Sequence, residues 1–414
     1  MRLVILTQYY PPETGAPQNR LSDLARRLAA RGHRVEVLTA LPSYPGDEIL
    51  PEYRRRENTA EVVDGVRVAR VGLYVPRRKT FARRMGHYLS FALNAAVHGP
   101  RLLGRADVVL MESPPLFLTL AGIPLARVLG ARLVVNVSDL WPRSVVELGM
   151  LRPGPLLWPA DLLEALMYRS AALVTGQTEG IVADIRSRFP RCRVELFPNG
   201  VDAAAYRRPL DRTGLRREFG WRDGDFVIGY AGVLGHAQAL GQVLDAARLL
   251  ADRPEAHFAL FGDGPCRQEL EARVGAPGLG NVRVYPRQPA ARMPHLQAAF
   301  DAGLAPLAKG KLFEGARPSK MFEIMAAARP VILCAAGEAP RVVAAAPGGP
   351  AGLVAPPEEP ELLAALVRRL LDDRAGAAAM GRRGRELVFR DFDRDAIAGR
   401  VESLLLSVTP GGRA

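Results

Sequence analysis

Three of the four lysines in this chain lie within twelve residues of one another, at Lys309, Lys311 and Lys320. The other basic residues, in a total of 56, are arginines with the single exception of Lys79. A lysine ammonium is a compact, mobile charge that suits phosphate, whereas the arginine guanidinium is a planar fork. The concentration of lysine between residues 309 and 332 therefore predicts an anion site.

The residues just before Lys320 predict the start of a helix. Arg317 precedes a proline and is biased toward an extended conformation, while Pro318 and Ser319 suit a first helical turn. The predicted helix spans residues 319–328, and its free N-terminal amide groups carry partial positive charge. Such a helix start can bind pyrophosphate.

Lys320 and Glu323 are three residues apart and therefore share one face of that helix. A carboxylate at this position can accept hydrogen bonds from both hydroxyls of a ribose while the lysine and the helix start hold the phosphates. The pattern predicts a nucleotide site. Spacing alone leaves a second interpretation open, namely an exposed ion pair on a helix whose Met321, Phe322 and Met325 face the core.

Length and composition bound the class of protein. At 414 residues with 48% apolar content, the chain is long enough for two domains with separate cores. A formal charge of +13 predicts attraction to a membrane surface, nucleic acid or a phosphorylated substrate. Nucleic acid is the least favoured partner, because aromatic residues make up only 7% and the sequence has no zinc-knuckle spacing or RNA-binding signature.

The cysteines and the amino terminus bear on the cellular compartment. Cys192, Cys266 and Cys334 are odd in number and far apart, which argues against a disulfide framework and for a reducing environment. The first residues, MRLVILTQYY, enter a strand directly and lack the features of a signal peptide. The longest apolar run, residues 117–126, is shorter than the roughly 20 residues that span a bilayer. We therefore expect a cytoplasmic protein.

Short apolar runs alternate with amphipathic helical patterns, which predicts parallel sheets wrapped by helices. One series begins with the strand RLVILT and a second with FVIGYAG at Phe226. The predicted organisation is an N-terminal Rossmann-like domain, a connection, a C-terminal Rossmann-like domain that binds the nucleotide, and a C-terminal helix able to cross back to the first domain. Their predicted bounds are 1–197, 198–225, 226–388 and 389–414.

Six segments share their order and spacing with one enzyme family. They are YYPPETGAPQNR near the amino terminus, SDLWP at 138–142, PNGVD at 198–202, GYAGVLG at 229–235, FGDGP at 261–265 and PSKMFEIMAAARPVI from Pro318. Over essentially its whole length the chain resembles the retaining GT-B glycosyltransferases of family four, in particular the bacterial branch that builds surface polysaccharides. The resemblance implies an α/β fold with two Rossmann-like, doubly wound domains facing across a cleft.

The resemblance also implies roles for individual residues. Glu323 would hold the ribose of a nucleotide sugar, and Lys320 would lie near its diphosphate. Gly232 would permit close approach of the backbone to the donor, while Gly15 would face the donor phosphates or sugar from the first domain. An ordinary turn is the alternative interpretation of each glycine.

The sequence departs from the family pattern at two places. The family's pair of glutamates, separated by seven residues, would place the first at Gly315, but the glutamate here is Glu314. The arginine and lysine that many members carry after the strand FVIGYAG are absent. The remaining candidates for neutralising phosphate are Lys311, Arg317, Lys320 and the helix start at Ser319.

Two more polar residues complete the predicted site. Asp139 follows the strand RLVVNV, at the end where α/β proteins bind ligands, and the family often has a histidine or acidic residue there. His236 could donate to a phosphate or a sugar hydroxyl. A helix cap for Asp139 and a solvated loop for His236 are the alternative interpretations. No Asp-any-Asp signature follows the carboxyl end of a predicted strand, and cationic side chains with a helix dipole can neutralise a leaving diphosphate without a divalent ion, so we expect no metal. We expect no other cofactor.

The resemblance implies that a sugar moves from a nucleoside diphosphate donor to an acceptor hydroxyl with retention at the anomeric carbon. The catalytic candidates are Asp139, Glu314 and Lys320. A sugar-nucleotide epimerase of the same architecture is the alternative, and it would convert the donor without an acceptor. A dinucleotide oxidoreductase is disfavoured, because the first turn lacks the Gly-any-Gly-any-any-Gly pattern.

A basic, amphipathic helix is predicted in the first domain. Its basic residues are Arg77, Arg78, Lys79, Arg83 and Arg84, and its apolar face holds Phe81, Met85, Tyr88, Leu89, Ala92 and Ala96. Helices of this kind lie in membrane interfaces, although packing on the domain's own sheet is the alternative. We expect peripheral contact with the anionic inner face of the plasma membrane, and the resemblance implies an acceptor carried on a polyprenyl diphosphate.

Overall fold

The computed structural model describes residues 1–13, 15–43, 48–76, 80–147, 154 and 157–409. The chain divides into two units, and each has its own sheet and core. One unit is built from Met1–Pro198 together with the chain from Arg394 onward, and the other from Asn199–Asp393.

The first unit contains an eight-stranded sheet in the order β3-β4-β2-β1-β5-β6-β7-β8 within the described ranges. All neighbouring strands are parallel except the antiparallel pair β3 and β4. Most of the strands are buried along almost their whole length, as parallel strands covered on both faces must be. The strands are β1 (Arg2–Leu6), β2 (Arg34–Ala40), β3 (Thr59–Val63), β4 (Val66–Val71), β5 (Val108–Ser113), β6 (Arg132–Val137), β7 (Leu173–Gly176) and β8 (Val194–Leu196).

Six helices connect these strands in the described part of the chain. Thr80 caps the longest of them by accepting a hydrogen bond from the backbone N–H of Arg83, and a proline lies in the first turn of the helix that follows Gly15. The helices are α1 (Ala16–Ala30), α2 (Phe81–Leu102), α3 (Thr119–Leu129), α4 (Arg143–Glu147), α5 (Trp158–Ser170) and α6 (Glu179–Arg188).

The second unit contains a six-stranded, fully parallel sheet in the order β11-β10-β9-β12-β13-β14. Its strands are β9 (Phe226–Val233), β10 (Ala256–Asp263), β11 (Val282–Tyr285), β12 (Ala302–Pro306), β13 (Val331–Cys334) and β14 (Gly352–Ala355). Its helices are α7 (Ala203–Arg207), α8 (Arg212–Glu218), α9 (Gly241–Arg248), α10 (Arg267–Val274), α11 (Met293–Ala299), α12 (Lys311–Glu314), α13 (Ser319–Ala326), α14 (Glu338–Ala344), α15 (Pro360–Asp372) and α16 (Arg374–Asp391).

The last helix, α17 (Arg394–Ser407), returns to the first unit. Its buried Ile397, Val401 and Leu405 join the core beneath α1, and Arg31, the residue after α1, forms an ion pair of 2.8 Å with Glu402. Helices α1 and α17 cover one face of the first sheet, while α2, α3, α5 and α6 cover the other. Helices on both faces of each parallel sheet confirm the predicted α/β class with two doubly wound domains.

The predicted domain bounds differ from the structure at two places. Residues 199–225, predicted as a connection, fold with the second unit and bury Tyr206, Leu215 and Trp221. Helices α7 and α8 there are only five and seven residues long, so they hold too few apolar residues to show a helical period. The predicted bound at residue 388 falls inside α16, which continues to Asp391.

The strand order of each sheet reverses at one place, and ligands of open α/β sheets bind beside such a reversal at the carboxyl ends of the strands. In the first sheet the reversal lies between β1 and β5, and in the second between β9 and β12. The loops after β9 and β12 are joined, because the backbone N–H of Ala308 donates to the carbonyl of Ala237 at 2.9 Å.

Candidate active site

Lys320 lies in the first turn of α13, beside the carboxyl end of β9. Its Nζ donates to Tyr230 Oη at 3.1 Å and lies 4.6 Å from the centre of the Tyr230 ring. The hydroxyl of Tyr230 in turn donates to the carbonyl of Val233 at 2.6 Å. These contacts hold the ammonium between the end of β9 and the start of α13, and a helix start of this kind can bind an anion.

The environment of Lys320 tunes its charge. Burial lowers the pKa of its ammonium to about 8, and the neighbouring Glu323 carboxylate opposes part of that shift. The side chain is therefore still largely protonated at neutral pH. A bound diphosphate would favour the charged form further, because opposite charges at short range stabilise each other.

Gly232 preserves space beside Lys320. A Cβ atom at Gly232 would lie 3.1 Å from Tyr230 Oη and 3.3 Å from Lys320 Cε, which is closer than side chains normally pack. On the neighbouring strand Gly262 has a φ of 157°, and a Cβ there would lie 1.9 Å from the carbonyl oxygen of Gly232. The glycines of the GYAGVLG and FGDGP segments thus allow two strand ends to come together next to the ammonium.

The helix that carries Lys320 starts where the sequence predicts and ends earlier. It begins at Ser319 and ends at Ala326, two residues before the predicted end, since Ala327 caps it and Ala328 has a φ of 56°. Glu323 is half-buried one turn into the helix, on the face of Lys320. The structure therefore brings Gly232, Lys320, Glu323 and the start of α13 together, and it adds Tyr230, which is not among the predicted site residues.

Arg317 has a different role from the predicted one. Its Nη2 lies 2.9 Å from Glu338 Oε2, and both side chains are only about one-tenth exposed. This buried ion pair ties the segment before α13 to the first turn of α14. The geometry favours a structural role for Arg317 in place of the predicted phosphate contact.

The other predicted residues of this loop lie in and after α12. Lys311 and Glu314 are exposed, and Gly315 ends the helix in an ordinary right-handed conformation. Within the described residues, no hydrogen bond or ion pair joins Lys311 or Glu314 to Lys320. The Glu314 carbonyl approaches Gly337 so closely that a Cβ there would lie 1.9 Å away. Glu314 therefore contacts Gly337 through its backbone carbonyl, while its side chain is exposed.

His236 begins a 3-10 turn, His236–Gln238, after β9. Its Nδ1 lies 3.3 Å from the sulfur of Cys266, the residue that precedes α10. The ring is therefore oriented by a side chain of the adjacent loop, at the same edge of the sheet as Gly232.

In the first unit, Asp139 and Gly15 both follow the carboxyl ends of strands. Asp139 is half-buried, and burial raises the pKa of its carboxyl group, while hydrogen bonds from Ser144 and the Leu140 backbone lower it. Ser144 belongs to α4, so Asp139 ties the strand end to the start of that helix. Gly15 precedes α1 with an extended φ of 174°, and its carbonyl accepts from the N–H of Asn19 at 3.0 Å.

A buried polar network, which is not among the predicted features, joins the carboxyl ends of β5, β6 and β7. Arg20 Nη2 donates to Glu112 Oε1 at 2.8 Å and to Ser138 Oγ at 2.9 Å. Asn136 Nδ2 donates to Glu112 Oε2 at 2.6 Å, and the Gln177 amide lies 2.7 Å from Ser138 Oγ. Polar residues inside otherwise apolar strands, as in VVLMES and RLVVNV, were the available signal.

The predicted membrane residues are only partly described. Arg77, Arg78, Lys79 and the side chain of Phe81 lie outside the described part of the chain. Arg83 and Arg84 are exposed, and Arg84 Nε donates to Tyr88 Oη at 2.9 Å. The predicted apolar face of α2 largely packs inward: Ala92 is buried, and Met85, Tyr88 and Ala96 are half-buried. Among the described helices, none is both long and apolar enough to cross a bilayer.

Comparison with known proteins accounts for both units. The glycosyl transferase 4-like domain family matches residues 15–200, and the glycosyl transferases group 1 family matches residues 211–387. The chain is 28% identical to the putative colanic acid biosynthesis glycosyl transferase WcaI of Escherichia coli, over 79% of this chain and 81% of that protein. It is 29% identical to the 2-deoxystreptamine glucosyltransferase of Streptomyces kanamyceticus, over 92% of this chain and 96% of that one.

The fold matches solved structures as well. The structure of HepE from Anabaena in complex with UDP and glucose superposes with a TM-score of 0.71 at 18% identity, covering 98% of this chain and all of that one. The epimerase alternative receives no support from these matches. With its two matched families and its two doubly wound sheets, this chain belongs to the glycosyltransferases of the two-domain GT-B fold.

Proposed function

We propose that this glycosyltransferase moves a sugar from a nucleoside diphosphate to a hydroxyl of a lipid-linked glycan intermediate, with retention, during synthesis of a cell-surface polysaccharide. The observation that carries the donor part is the position of Lys320. Its ammonium is held by Tyr230 at the start of α13, next to Gly232 and on the helix face of Glu323. This arrangement offers a cation, helix amide groups and a carboxylate to a single nucleotide.

Each group has a distinct task in this proposal. The Glu323 carboxylate accepts hydrogen bonds from the ribose hydroxyls, while Lys320 and the N–H groups of the first turn of α13 contact the diphosphate. The loops after β9 and β12, with His236 and Lys311, border the rest of the donor. The neighbour HepE, bound to UDP and glucose, supports a nucleotide sugar as the donor class.

In the proposed reaction the bond between the anomeric carbon and the departing phosphate oxygen breaks, and a bond to the acceptor oxygen forms on the same face. Because the acceptor attacks on the face that the diphosphate leaves, no protein nucleophile is needed, and because the acceptor proton passes to the departing diphosphate, no protein base is needed. Negative charge grows on the diphosphate as the bond breaks, and the Lys320 ammonium with the α13 amide groups stabilises it. These cationic groups lead us to propose that turnover needs no metal ion. In the first unit, Asp139 and Gly15 remain predicted contacts.

The acceptor class rests on two kinds of support. WcaI is named for the biosynthesis of colanic acid, which favours a glycan intermediate as acceptor. The exposed arginines at the start of α2 favour peripheral association with the anionic inner face of the plasma membrane. The name of the 2-deoxystreptamine glucosyltransferase points to a small aminocyclitol instead, so the experiment must include that acceptor.

A donor screen tests the proposal. Purified protein is incubated with UDP- and GDP-linked sugars in EDTA, with bacterial lipid extract, with 2-deoxystreptamine or with neither, and release of nucleoside diphosphate is measured. We expect release with one donor that increases several-fold with lipid extract, and a product that keeps the anomeric configuration of the donor. Release that responds only to 2-deoxystreptamine would overturn the lipid-linked acceptor, and activity restored only by magnesium or manganese would overturn the metal-free mechanism.

A further inference from the structure

Three neighbouring helices of the first unit carry apolar residues on sides that point to solvent. Helix α3 packs against both α2 and α5. On each helix, three apolar residues recur at a spacing of four, and all nine are exposed. They are Leu89, Leu93 and Val97 on α2, Leu120, Pro124 and Val128 on α3, and Trp158, Leu162 and Leu166 on α5. We call these nine residues the apolar face.

Helix α5 shows that these exposed apolar residues are not simply the border of the hydrophobic core. Its Met167 and Tyr168 are buried against the sheet, whereas Trp158 and Leu162 are each 71% exposed. Residues four apart lie on one side of a helix, so α5 is apolar both toward the sheet and away from it. Single exposed apolar side chains are ordinary, but a set on three adjacent helices marks an interaction surface.

The charges on these helices are almost all of one sign. Their exposed charged residues are Arg83, Arg84, Arg101, Arg127 and Arg169, with Asp161 as the one acidic residue among them. Trp158 is the first residue of α5, and tryptophan favours the boundary between lipid headgroups and acyl chains. An apolar surface with a cationic border and an exposed tryptophan complements an anionic lipid bilayer.

We propose that the apolar face is the surface through which this protein docks on an anionic membrane. The inference rests on the proposed function, since a lipid-linked acceptor has to be reached at the bilayer. A second copy of the chain fits less well, because a two-fold contact would bring the same arginines toward one another. The docking surface also differs from the one predicted from sequence: it shares only Leu89 with the predicted apolar residues of α2, and it includes two further helices.

The test replaces four residues of the apolar face by glutamine, in the variant Leu93→Gln/Val97→Gln/Leu162→Gln/Leu166→Gln. Vesicles of phosphatidylcholine with phosphatidylglycerol are floated on a density gradient, and the bound fraction is measured. Because the four substitutions remove apolar area that would otherwise leave water on docking, the partition coefficient should fall by at least about tenfold. The matched control, Leu249→Gln/Leu362→Gln, changes residues of the second unit that are 46% and 49% exposed and should bind vesicles like the wild type.

Tryptophan fluorescence provides a measurement that does not depend on the fourfold variant. If α5 enters the headgroup region, lipids brominated along the acyl chain should quench Trp158. The quenching should disappear in Trp158→Phe and persist in Trp221→Phe, because Trp221 is buried in the second unit. Equal quenching in wild type and Trp158→Phe would place the contact elsewhere and overturn the proposal.

The outcomes separate this proposal from the proposed function. Wild-type protein that ignores anionic vesicles at low salt, or a fourfold variant that binds them as well as wild type, overturns the docking surface while donor turnover can still stand. Absence of nucleoside diphosphate release with every donor overturns the proposed function while vesicle binding can still stand. Light scattering that shows a wild-type dimer and a monomeric fourfold variant would assign the apolar face to a contact between copies and overturn membrane docking.

Discussion

The polar groups at the carboxyl edges of the two sheets are satisfied in different ways. In the first unit, Arg20 is paired with Glu112 and bonded to Ser138, so its charge is already neutralised inside the protein. In the second unit, Lys320 donates to the neutral hydroxyl of Tyr230, and burial lowers its pKa. A closed network makes a scaffold, whereas a half-buried cation whose hydrogen-bond partner is neutral is suited to an incoming anion. The charge environment therefore distinguishes the candidate site from the supporting structure.

The largest effect is expected at Glu323. The change Glu323→Ala should abolish detectable binding of nucleoside diphosphate in calorimetry, because no other carboxylate on the described face of α13 can accept from the ribose hydroxyls. Glu361→Ala, which changes an exposed glutamate at the start of α15, is the control and should leave affinity unchanged. If Glu323→Ala keeps wild-type affinity, the ribose assignment is lost and the second interpretation of the Lys320–Glu323 pair is restored.

The polar network of the first unit should contribute to the stability of the fold. The change Arg20→Met leaves the buried Glu112 carboxylate without its cation, and breaking such a pair costs about 3–5 kcal/mol in the free energy of unfolding. Denaturant unfolding measures the loss. Arg26→Met removes an ion pair with Asp23 on an arginine that is 51% exposed, and should cost less than about 1 kcal/mol. Similar small losses for both variants would show that the Arg20 network does not stabilise the first sheet.

The Lys320 site and the Arg20 network also show what could be predicted from sequence. Lys320, Glu323 and Pro318 lie within six residues, so local helix geometry alone brings them together. Arg20 and Glu112 are 92 residues apart, and only the strand order β1-β5 places them in contact. The same limit applies to Arg317, whose partner Glu338 comes from the next helix along the chain.

The sequence predicts the apolar pattern of α2 but leaves open whether the predicted face packs on the sheet or meets a membrane. A helix with apolar residues on more than one side does not reveal from sequence which side the sheet covers. The structure buries Ala92 and leaves Leu93 and Val97 in solvent. In contrast, the alternation of short apolar runs with helical patterns was sufficient for the fold class, because buried parallel strands have a distinctive composition.

Turnover should fall when the Lys320 ammonium of the second unit is removed. Lys320→Ala should lower kcat by about 10²-fold, with a smaller effect on the dissociation constant for nucleoside diphosphate, because the charge on the leaving group grows in the transition state. Lys309→Ala changes an exposed lysine of the same cluster and serves as the control. A loss confined to ground-state binding, with kcat unchanged, would argue that Lys320 only anchors the donor.

The smallest expected effect is a shift in pH dependence. With the pKa of Lys320 lowered to about 8, kcat/KM of the wild type should fall as the pH rises through about 8, since the neutral amine cannot stabilise the diphosphate. Tyr230→Phe removes the hydroxyl that accepts from the ammonium, and an acceptor favours the charged form. The pKa of Lys320 should therefore fall further. The alkaline limb of the pH profile should move to lower pH, with only a few-fold loss of kcat/KM at neutral pH.

The conservative control is Tyr285→Phe, whose hydroxyl has no hydrogen-bond partner among the described residues. An alkaline limb that stays in place in Tyr230→Phe would mean that another group titrates. The contrast between the neutralised Arg20 and the titrating Lys320 would then lose its electrostatic basis.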